Sequence, residues 1–364
     1  MIVIKNKRVT ARDVAREAGV SPSTVSMILN DYKNITFSDE TKKRVLEICD
    51  RLGYRTLGKS RLDTISGRVL LIACPTFDNP HYVKEINGVQ RRAQELGYET
   101  IVFCTRRSEE AEANMVRVCR ELNVAGVLLL YQPDNMDAYR LLRRENQIVQ
   151  LYDKSGSEDI SIIELDNIKI GKLVAEHLME LGHRHIAHIS LPLVATQPSR
   201  ERRIEGIRSC MMEHGLDPDQ YLRVSTVETE GLSVAGKLEG YETGYVLGGY
   251  LIDSKAPITA FSTTNDMVAY GIMDAIYKRK KRIPQDYSIC GCDNLPFSEY
   301  QKISLTSVEH YTAEKGQDAV DLLVQKIQMQ KSAGYESDLP VRITRIEYAP
   351  KLIVRKSTGR CHRE

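Results

Sequence analysis

The sequence predicts an α/β protein: a small all-α headpiece followed by a two-lobed body built on doubly wound parallel sheets. Residues 8–30 have the pattern of a helix, a tight turn and a second helix. Residues 68–166 alternate short apolar runs with segments of helical period, which is typical of parallel strands buried on both faces, and the alternation restarts after Asp166. A chain of 364 residues also requires more than one domain, because single hydrophobic cores stop growing near about 250–300 residues.

The first helices have end signals at the expected spacing. Thr10 is the predicted N-cap, with Asp13 completing a capping box, and Gly19 can take the left-handed conformation that ends a helix. Ser21 is the predicted cap of the second helix, with Pro22 at its first position, where a missing N–H costs nothing. Two short helices that cross at a glycine-containing turn are typical of units that read the DNA major groove, although an ordinary helical hairpin has the same pattern.

The second helix is predicted to have one inward and one open face. The inward positions of the first two helices are Val14, Ala15, Ala18, Val25, Ile28 and Leu29. The open face of the second helix carries Ser23, Thr24, Ser26, Met27 and Asn30. A third helix is predicted, with Ser38 as its cap. The residues expected to face the core are Val45, Leu46, Ile48, Cys49 and Leu52.

Charge is distributed unevenly along the chain. Residues 1–68 carry 14 Lys and Arg against 8 Asp and Glu, whereas the remaining residues carry 37 against 41. A basic N-terminal unit indicates a surface that faces phosphates, although a merely solvated basic face gives the same balance. The scattered cysteines favour free thiols, no apolar run is long enough to span a membrane, and the N-terminus lacks a secretory apolar core. We therefore expect a cytoplasmic protein without membrane contact.

These motifs resemble the lactose-repressor/galactose-repressor (LacI/GalR) family of bacterial transcription regulators. The matching pieces are residues 9–26, 29–30, the third helix, 52–55 and the closing stretch 349–358. The resemblance implies a sequence-specific DNA-binding regulator, most often a repressor, whose operator affinity is controlled by a small-molecule effector. It also implies a body like that of the periplasmic sugar-binding proteins. A sugar is the effector expected from the family, although a purine or another small polar molecule fits the same residues.

The resemblance implies three regions: a helix-turn-helix headpiece (1–55), a hinge linker (56–67) and an effector-binding and dimerisation domain (68–358). Each lobe of that domain is expected to combine two stretches of chain: 68–166 with 305–336, and 167–304 with 337–358. Family tetramers carry an extra C-terminal helix that this sequence lacks, so a symmetric homodimer on two-fold symmetric operator DNA is expected.

The resemblance also assigns DNA contacts. Phosphate contacts are expected from Thr10, Ser21, Thr24 and Asn30, and base contacts from Pro22, Ser23 and Met27, with Ser26 on the same exposed face. Most family members carry arginine at position 27, which can bind guanine in a bidentate manner. Methionine cannot make that contact, so the operator preference should depart from the family norm.

The hinge departs further from the family pattern. Family members insert a leucine from each subunit into the minor groove, which kinks the DNA. Here that position falls on Asp63, with Leu62 beside it. Either the hinge helix is phased one residue differently and Leu62 inserts, or the insertion is absent.

An effector site is expected at the carboxyl ends of the strands, between the lobes. The positions that match the family are Asn79, His81, Tyr82, Asp166, Arg203, Asp266 and Asp293. Arg203 is the strongest candidate, because a guanidinium can bind two hydroxyls or one carboxylate at once, and Arg200 and Arg202 are alternatives for that role. Tyr82 could instead pack in the core, and Asp166 and Asp266 could instead cap helices.

Other motifs are not expected to carry chemistry. His183, His185 and His188 are close in sequence, but a strand would place His185 and His188 on opposite faces, so no metal site is predicted. Cys290 and Cys292 are expected to be buried thiols. No cofactor loop or catalytic triad is placed by a motif. The remaining alternative to a regulator is a small-molecule-binding protein or enzyme with the same two-lobed fold.

Overall fold

A computed structural model describes residues 9–29, 37–52, 54, 67–152, 160–232, 240–333 and 342–362. The chain divides into two compact units, Met1–Arg68 and Val69–Glu364. The predictions for Asn30, for Leu62 and for the hinge up to residue 66 lie outside the described residues.

The described part of the first unit consists of three helices: α1 Ala11–Ala18, α2 Pro22–Leu29 and α3 Asp39–Leu52. Their shared core contains Val14, Ala15, Ala18, Val25, Val45, Ile48 and Cys49. Gly19 ends α1 with φ 66°, in the left-handed conformation that the sequence predicted. The prediction that Leu46 is buried is wrong, because its side chain is 48% exposed. Successive helix residues are rotated by about 100°, so Leu46 does not share the core-facing position of its buried neighbour Val45.

The second unit alternates strands and helices along the chain. Its strands are β1 Val69–Cys74, β2 Glu99–Cys104, β3 Gly126–Leu129, β4 Ile148–Gln150, β5 Ser161–Leu165, β6 Ile186–Ile189, β7 Leu222–Ser225, β8 Ala260–Thr263, β9 Ser288–Cys290, β10 Ser307–Glu309, β11 Arg345–Tyr348 and β12 Lys351–Ile353. Its helices are α4 Pro80–Glu95, α5 Glu109–Leu122, α6 Met136–Glu145, α7 Asn167–Glu180, α8 Pro198–Glu213, α9 Pro218–Tyr221, α10 Gly240–Asp253, α11 Asp266–Lys278 and α12 Thr312–Ala333.

Two parallel sheets form the two lobes. The first has the strand order β11-β5-β4-β3-β1-β2 and the second the order β7-β6-β8-β9. Strands β10 and β12 pair antiparallel in a separate two-stranded sheet, and β10 also bridges the segment after β9 at Asp293 and Glu309. Because strand order reverses inside each sheet, helices cover both faces and the carboxyl strand ends open onto a crevice. The two predicted parallel sheets are therefore confirmed.

Two predicted lobe boundaries are wrong. Residues 305–336 were predicted in the first lobe, but Leu305 and Val308 pack in the cores of the second lobe. Strand β11 pairs with β5 in the first sheet, with Arg345 opposite Ile162 and Tyr348 opposite Leu165, so residues 345–348 belong to the first lobe. The prediction placed 337–358 wholly in the second lobe. The chain crosses after Tyr348 instead. This strand alternates exposed and half-buried positions, as an edge strand does, and so lacks the continuous apolar run that marked the others.

Close packing of α7 on α8 sets the position of the second lobe's cleft-facing side chains. A Cβ atom on Gly171 would lie 2.0 Å from the backbone oxygen of Arg203, and one on Gly206 would lie 2.0 Å from that of Ile168. Only glycine permits two helix backbones to approach this closely. Gly206 therefore fixes the position of the helix that carries Arg203.

Candidate functional site

The exposed face of α2 presents most of the predicted DNA-contact residues together. Ser21, Pro22, Ser23 and Ser26 are exposed, Thr24 and Met27 are half-buried, and Val25 anchors the helix in the core. Ser21 Oγ accepts a hydrogen bond from the Thr24 backbone N–H at 3.0 Å, which confirms Ser21 as the N-cap. The helix therefore offers a short polar surface held by a capped end.

Thr10 caps α1 as the sequence predicted. Its backbone N–H and its hydroxyl donate to the Asp13 carboxylate at 2.9 and 2.7 Å. The threonine itself is exposed. Its phosphate contact stays a prediction, and its capping role explains the residue type independently of DNA.

In the second unit, four of the predicted effector residues meet at the ends of strands from both lobes. Asn79 caps α4 after β1, and its Oδ1 accepts from the His81 N–H at 3.0 Å. His81 Nδ1 lies 3.2 Å from Asp293 Oδ1, which follows β9 in the other lobe. The rings of His81 and Tyr82 contact edge to face, with centroids 5.5 Å apart. These contacts span the interlobe cleft.

Asp293 is held in the cleft by an unusual backbone. Its φ is 146°, a conformation costly for a non-glycine residue and often found at functional sites. His310, which follows β10, places its Nδ1 3.4 Å from the same Asp293 oxygen, and its Nε2 lies 3.1 Å from Cys292 Sγ. Burial lowers the pKa of His310 well below its ordinary value, so its ring is neutral near pH 7. His310 is not predicted from the sequence, since no motif marks it.

Arg203 reaches the cleft from α8. Its Nε donates to Asn167 Oδ1 and its Nη1 to the Thr264 carbonyl, both at 2.6 Å. Burial lowers the pKa of Arg200 to about 10, and the charges of Arg107 and Arg203 add to that shift. Among the described residues, the hydrogen-bond partners of Arg200 and Arg203 are carbonyl and amide oxygens rather than carboxylates. The cleft therefore holds guanidinium charge available to a ligand.

A cavity of about 80 Å³, open to solvent, adjoins Tyr82. It is lined by Tyr82, Arg107, Leu130, Tyr131, Gln132, Tyr152, Thr196, Gln197, Pro198 and Ser199. Arg107 pairs with Asp134 at 3.2 Å and stacks over the Tyr131 ring at 4.9 Å. Aromatic faces with a few fixed polar groups are the usual lining of a small-molecule site. Tyr82 therefore lies at the cavity rather than only in the core.

Asp266 requires a correction. It is fully buried, and its carboxylate accepts hydrogen bonds from Leu295 N at 2.8 Å, Ser298 Oγ at 2.6 Å and Ser307 Oγ at 2.5 Å. Burial raises its pKa to about 6, and the charge of Asp293 adds to the shift. Asp266 thus ties the loop after β9 to α11 instead of facing a ligand, and the residue that caps α11 is its neighbour Asn265.

Asp166 was predicted either to cap a helix or to contact the effector. Its Oδ1 accepts from the Lys169 N–H at 2.9 Å, which confirms the capping alternative at the start of α7. Its effector contact stays a prediction.

The clustered histidines near β6 serve the fold. His183 bonds Thr259 Oγ1 and Ser288 Oγ, both at 2.9 Å, and His188 bonds Ser262 Oγ at 3.0 Å. Both rings are buried, and both have lowered pKa values because of burial.

Within the described ranges, no helix is long and apolar enough to cross a membrane.

Comparison with known families matches both units. The model for bacterial regulatory proteins of the lacI family matches residues 10–56, and the model for a periplasmic binding protein-like domain matches residues 175–358. The first match covers the three-helix unit. The second covers most of the lobe that carries Arg203 and Asp293, and just over half of the chain.

Full-length relatives share this organisation. The HTH-type transcriptional regulator DegA of Bacillus subtilis is 27% identical over 357 residues, covering 97% of this chain and 98% of the relative. The ribose operon repressor of Escherichia coli is 30% identical over 328 residues, covering 87% and 93%. A crystal structure of the lac repressor dimer bound to operator and the anti-inducer ONPF has a TM-score of 0.69 at 24% identity, covering 97% of this chain and all of that one.

A helix-turn-helix unit joined to a two-lobed body with a cleft defines a ligand-controlled DNA-binding regulator. The chain belongs to the lacI family of bacterial regulatory proteins. Its relatives are transcriptional regulators, so the prediction of a regulator rather than an enzyme is confirmed.

Proposed function

We propose that the protein is a homodimeric repressor in the cytoplasm whose affinity for a two-fold symmetric operator is set by a sugar bound between its lobes. The observation that carries this proposal is the meeting of His81 from the first lobe with Asp293 from the second, next to Tyr82, which also lines a cavity open to solvent. A ligand that joins these groups changes the relation between the lobes. A relative named for a ribose operon and a lac repressor dimer on its operator support the effector class and the dimer.

A polyhydroxylated effector suits the chemistry of the cleft. Asp293 accepts hydrogen bonds from hydroxyl groups, whereas Arg203 donates to hydroxyl or acidic oxygens, so each supplies what the other lacks. Tyr82 offers an aromatic face to a sugar ring. Asn79 and His81 orient one another at the start of α4, and Asp166 has a second carboxylate oxygen beyond the one that caps α7. Guanidinium groups without carboxylate partners also favour an acidic substituent on the sugar.

DNA recognition is assigned to α2 and its flanks. Thr10, Ser21, Thr24 and Asn30 position the headpiece on phosphates, and Pro22, Ser23, Ser26 and Met27 meet base edges. The half-buried Met27 side chain suits apolar contact with a thymine methyl group. Leu62 is the hinge residue proposed to enter the minor groove.

Effector binding is coupled to DNA binding through the lobes. A ligand that binds the closed arrangement of the two lobes more tightly shifts the population toward it. A coupling free energy of about 1–3 kcal/mol between the two sites changes operator affinity roughly 5–150-fold. The sign of the change, induction or corepression, is what the binding experiment reads.

The test is a fluorescence-anisotropy titration of a labelled operator with and without a panel of sugars and sugar phosphates. Exchange of Arg203 for alanine should abolish the effector response and leave effector-free DNA affinity unchanged. Arg208→Ala is the matched control, because Arg208 lies on the same helix but pairs with Asp219 at 2.8 Å on the surface. If turnover of a sugar is detected and no DNA sequence is preferred, the enzyme alternative replaces the regulator.

A further inference from the structure

Three ligating side chains from distant parts of the chain converge at the cleft. His81 begins the first lobe's α4, Asp293 follows β9 in the second lobe, and His310 follows β10. Their nearest ligating atoms all lie within 4.8 Å of one another. These three residues are far apart along the chain, so no local sequence pattern predicts the group.

The contacts have hydrogen-bond distance without hydrogen-bond direction. His81 Nδ1 and His310 Nδ1 lie 3.2 and 3.4 Å from the same Asp293 oxygen. Yet His81 Nδ1 and Asp293 Oδ2 have no hydrogen-bond partner among the described residues, although both atoms are buried. Both atoms therefore lack a partner among the described residues and can bind a group that the chain itself does not supply. Buried polar atoms without partners are rare and indicate an absent partner.

The two nitrogen–oxygen spacings match the edges of a metal coordination shell, and the two ring nitrogens lie within 4.8 Å of each other. Bonds of about 2.0–2.1 Å in tetrahedral geometry place neighbouring ligand atoms about 3.3–3.4 Å apart, and octahedral geometry places them about 3.0 Å apart. The two measured nitrogen–oxygen separations lie within that range. Two imidazoles with one carboxylate are a donor set for Zn²⁺, Fe²⁺ or Co²⁺ rather than for Mg²⁺ or Ca²⁺, which prefer oxygen.

The surroundings support the donors in that role. Asp293 and His310 are 4% and 2% exposed. His310 Nε2 contacts Cys292 Sγ at 3.1 Å, and a second contact of this kind is what orients a metal-bound histidine. The nearby lysines each have a carboxylate partner, Glu85 for Lys315 and Glu309 for Lys84, each at 3.5 Å. Among the described residues, Arg203 is a further cation whose charge opposes that of a bound ion.

We propose that His81 Nδ1, an oxygen of Asp293 and His310 Nδ1 bind one divalent transition-metal ion in the interlobe cleft. Three protein ligands leave coordination positions open, and effector oxygens occupy them. The role of the ion for the effector rests on the proposed function. Binding of the ion itself does not, because all three ligands belong to the chain.

The experiment is a titration of the chelator-treated, full-length protein with Co²⁺, followed by its visible absorption, and with Zn²⁺, followed by calorimetry. We expect one ion per chain. His310→Ala and Asp293→Asn should each weaken the affinity at least about 100-fold. His214→Ala is the matched control, because His214 is exposed at the end of α8 and should leave the affinity unchanged. If a variant at a buried position has a lowered melting temperature, His81→Gln replaces it in the titration, because His81 is half-buried at the start of α4 and its exchange should also weaken ion binding.

The outcomes separate this inference from the proposed function, because no sugar or DNA is present in the titration. Absence of saturable binding, or equal binding by wild type, His310→Ala and Asp293→Asn, overturns the metal site. A sugar response of operator binding that survives chelator treatment would then leave the regulator intact. Saturable ion binding without any sugar response would support the metal site and contradict the proposed effector.

Discussion

Exchange of Gly206 for alanine tests how the fold positions Arg203. The new methyl group would lie 2.0 Å from the Ile168 backbone oxygen, whereas ordinary contact begins near 3.4 Å. The backbones of α7 and α8 must therefore separate by about 1.4 Å at this crossing. Arg203 lies one turn before Gly206, and its Nε bonds Asn167 at the start of α7.

The expected size of the effect follows from these distances. A 1.4 Å separation lengthens the 2.6 Å Arg203–Asn167 hydrogen bond to about 4.0 Å, well past the limit of about 3.2 Å for such a bond. Overpacking of this kind costs about 1–3 kcal/mol of unfolding free energy. Loss of a hydrogen bond to a charged group costs about 1.5–3 kcal/mol, which predicts a loss of effector affinity of roughly 10–150-fold.

The assay combines urea unfolding with the effector concentration that half-saturates the operator response. Gly215→Ala is the matched control, because Gly215 lies just past α8 with φ 72° and open space around its Cβ position. It should lose about 1 kcal/mol from its left-handed backbone and keep its effector affinity. If Gly206→Ala and Gly215→Ala have the same effector affinity, the helix contact does not position Arg203.

Further predictions concern DNA reading, the cleft and pH. Met27→Arg should raise the preference for guanine at the contacted base pair by about 1–3 kcal/mol, measured by competition between operator variants; an unchanged preference would remove Met27 from base reading. Arg203→Lys should retain the charge but lose the fixed fork, so its effector affinity should fall between those of wild type and Arg203→Ala in the same titration. Because Asp266 has a folded-state pKa raised to about 6, the unfolding free energy should fall, by about 3 kcal/mol at most, as the pH rises from about 4 to about 6. Asp266→Asn should remove that slope in urea unfolding at each pH, and a slope that persists would assign it to another group.

Local signals predicted the headpiece well. The caps at Thr10 and Ser21 and the turn at Gly19 depend on side chains within three residues of one another, so the sequence contains the whole interaction. The prediction that Leu46 is buried was wrong because apolar character alone does not determine which face of a helix a residue lies on. Its neighbour Val45 takes the core position instead.

Long-range pairing explains what the sequence could not predict. Strand β11 joins the first sheet through pairing with β5, which lies far earlier in the chain. Its alternating burial pattern does not indicate which strand it pairs with. Asp266 was assigned from a motif, but its hydrogen-bond donors lie about 30–40 residues away. His310 and Arg107 are placed at the cleft by contacts between residues that are distant in the sequence, so no local pattern predicts them.

Selection of bound sequences from a randomised duplex pool, at one stated salt concentration, tests the central claim most directly. A homodimer that places two α2 helices in successive major grooves predicts enrichment of a near-palindrome of about 14–20 base pairs. Adding sugars to the pool should change the yield of that sequence without changing the sequence itself. Enrichment of no sequence, both with and without the sugars, would contradict the account of an effector-controlled operator-binding protein.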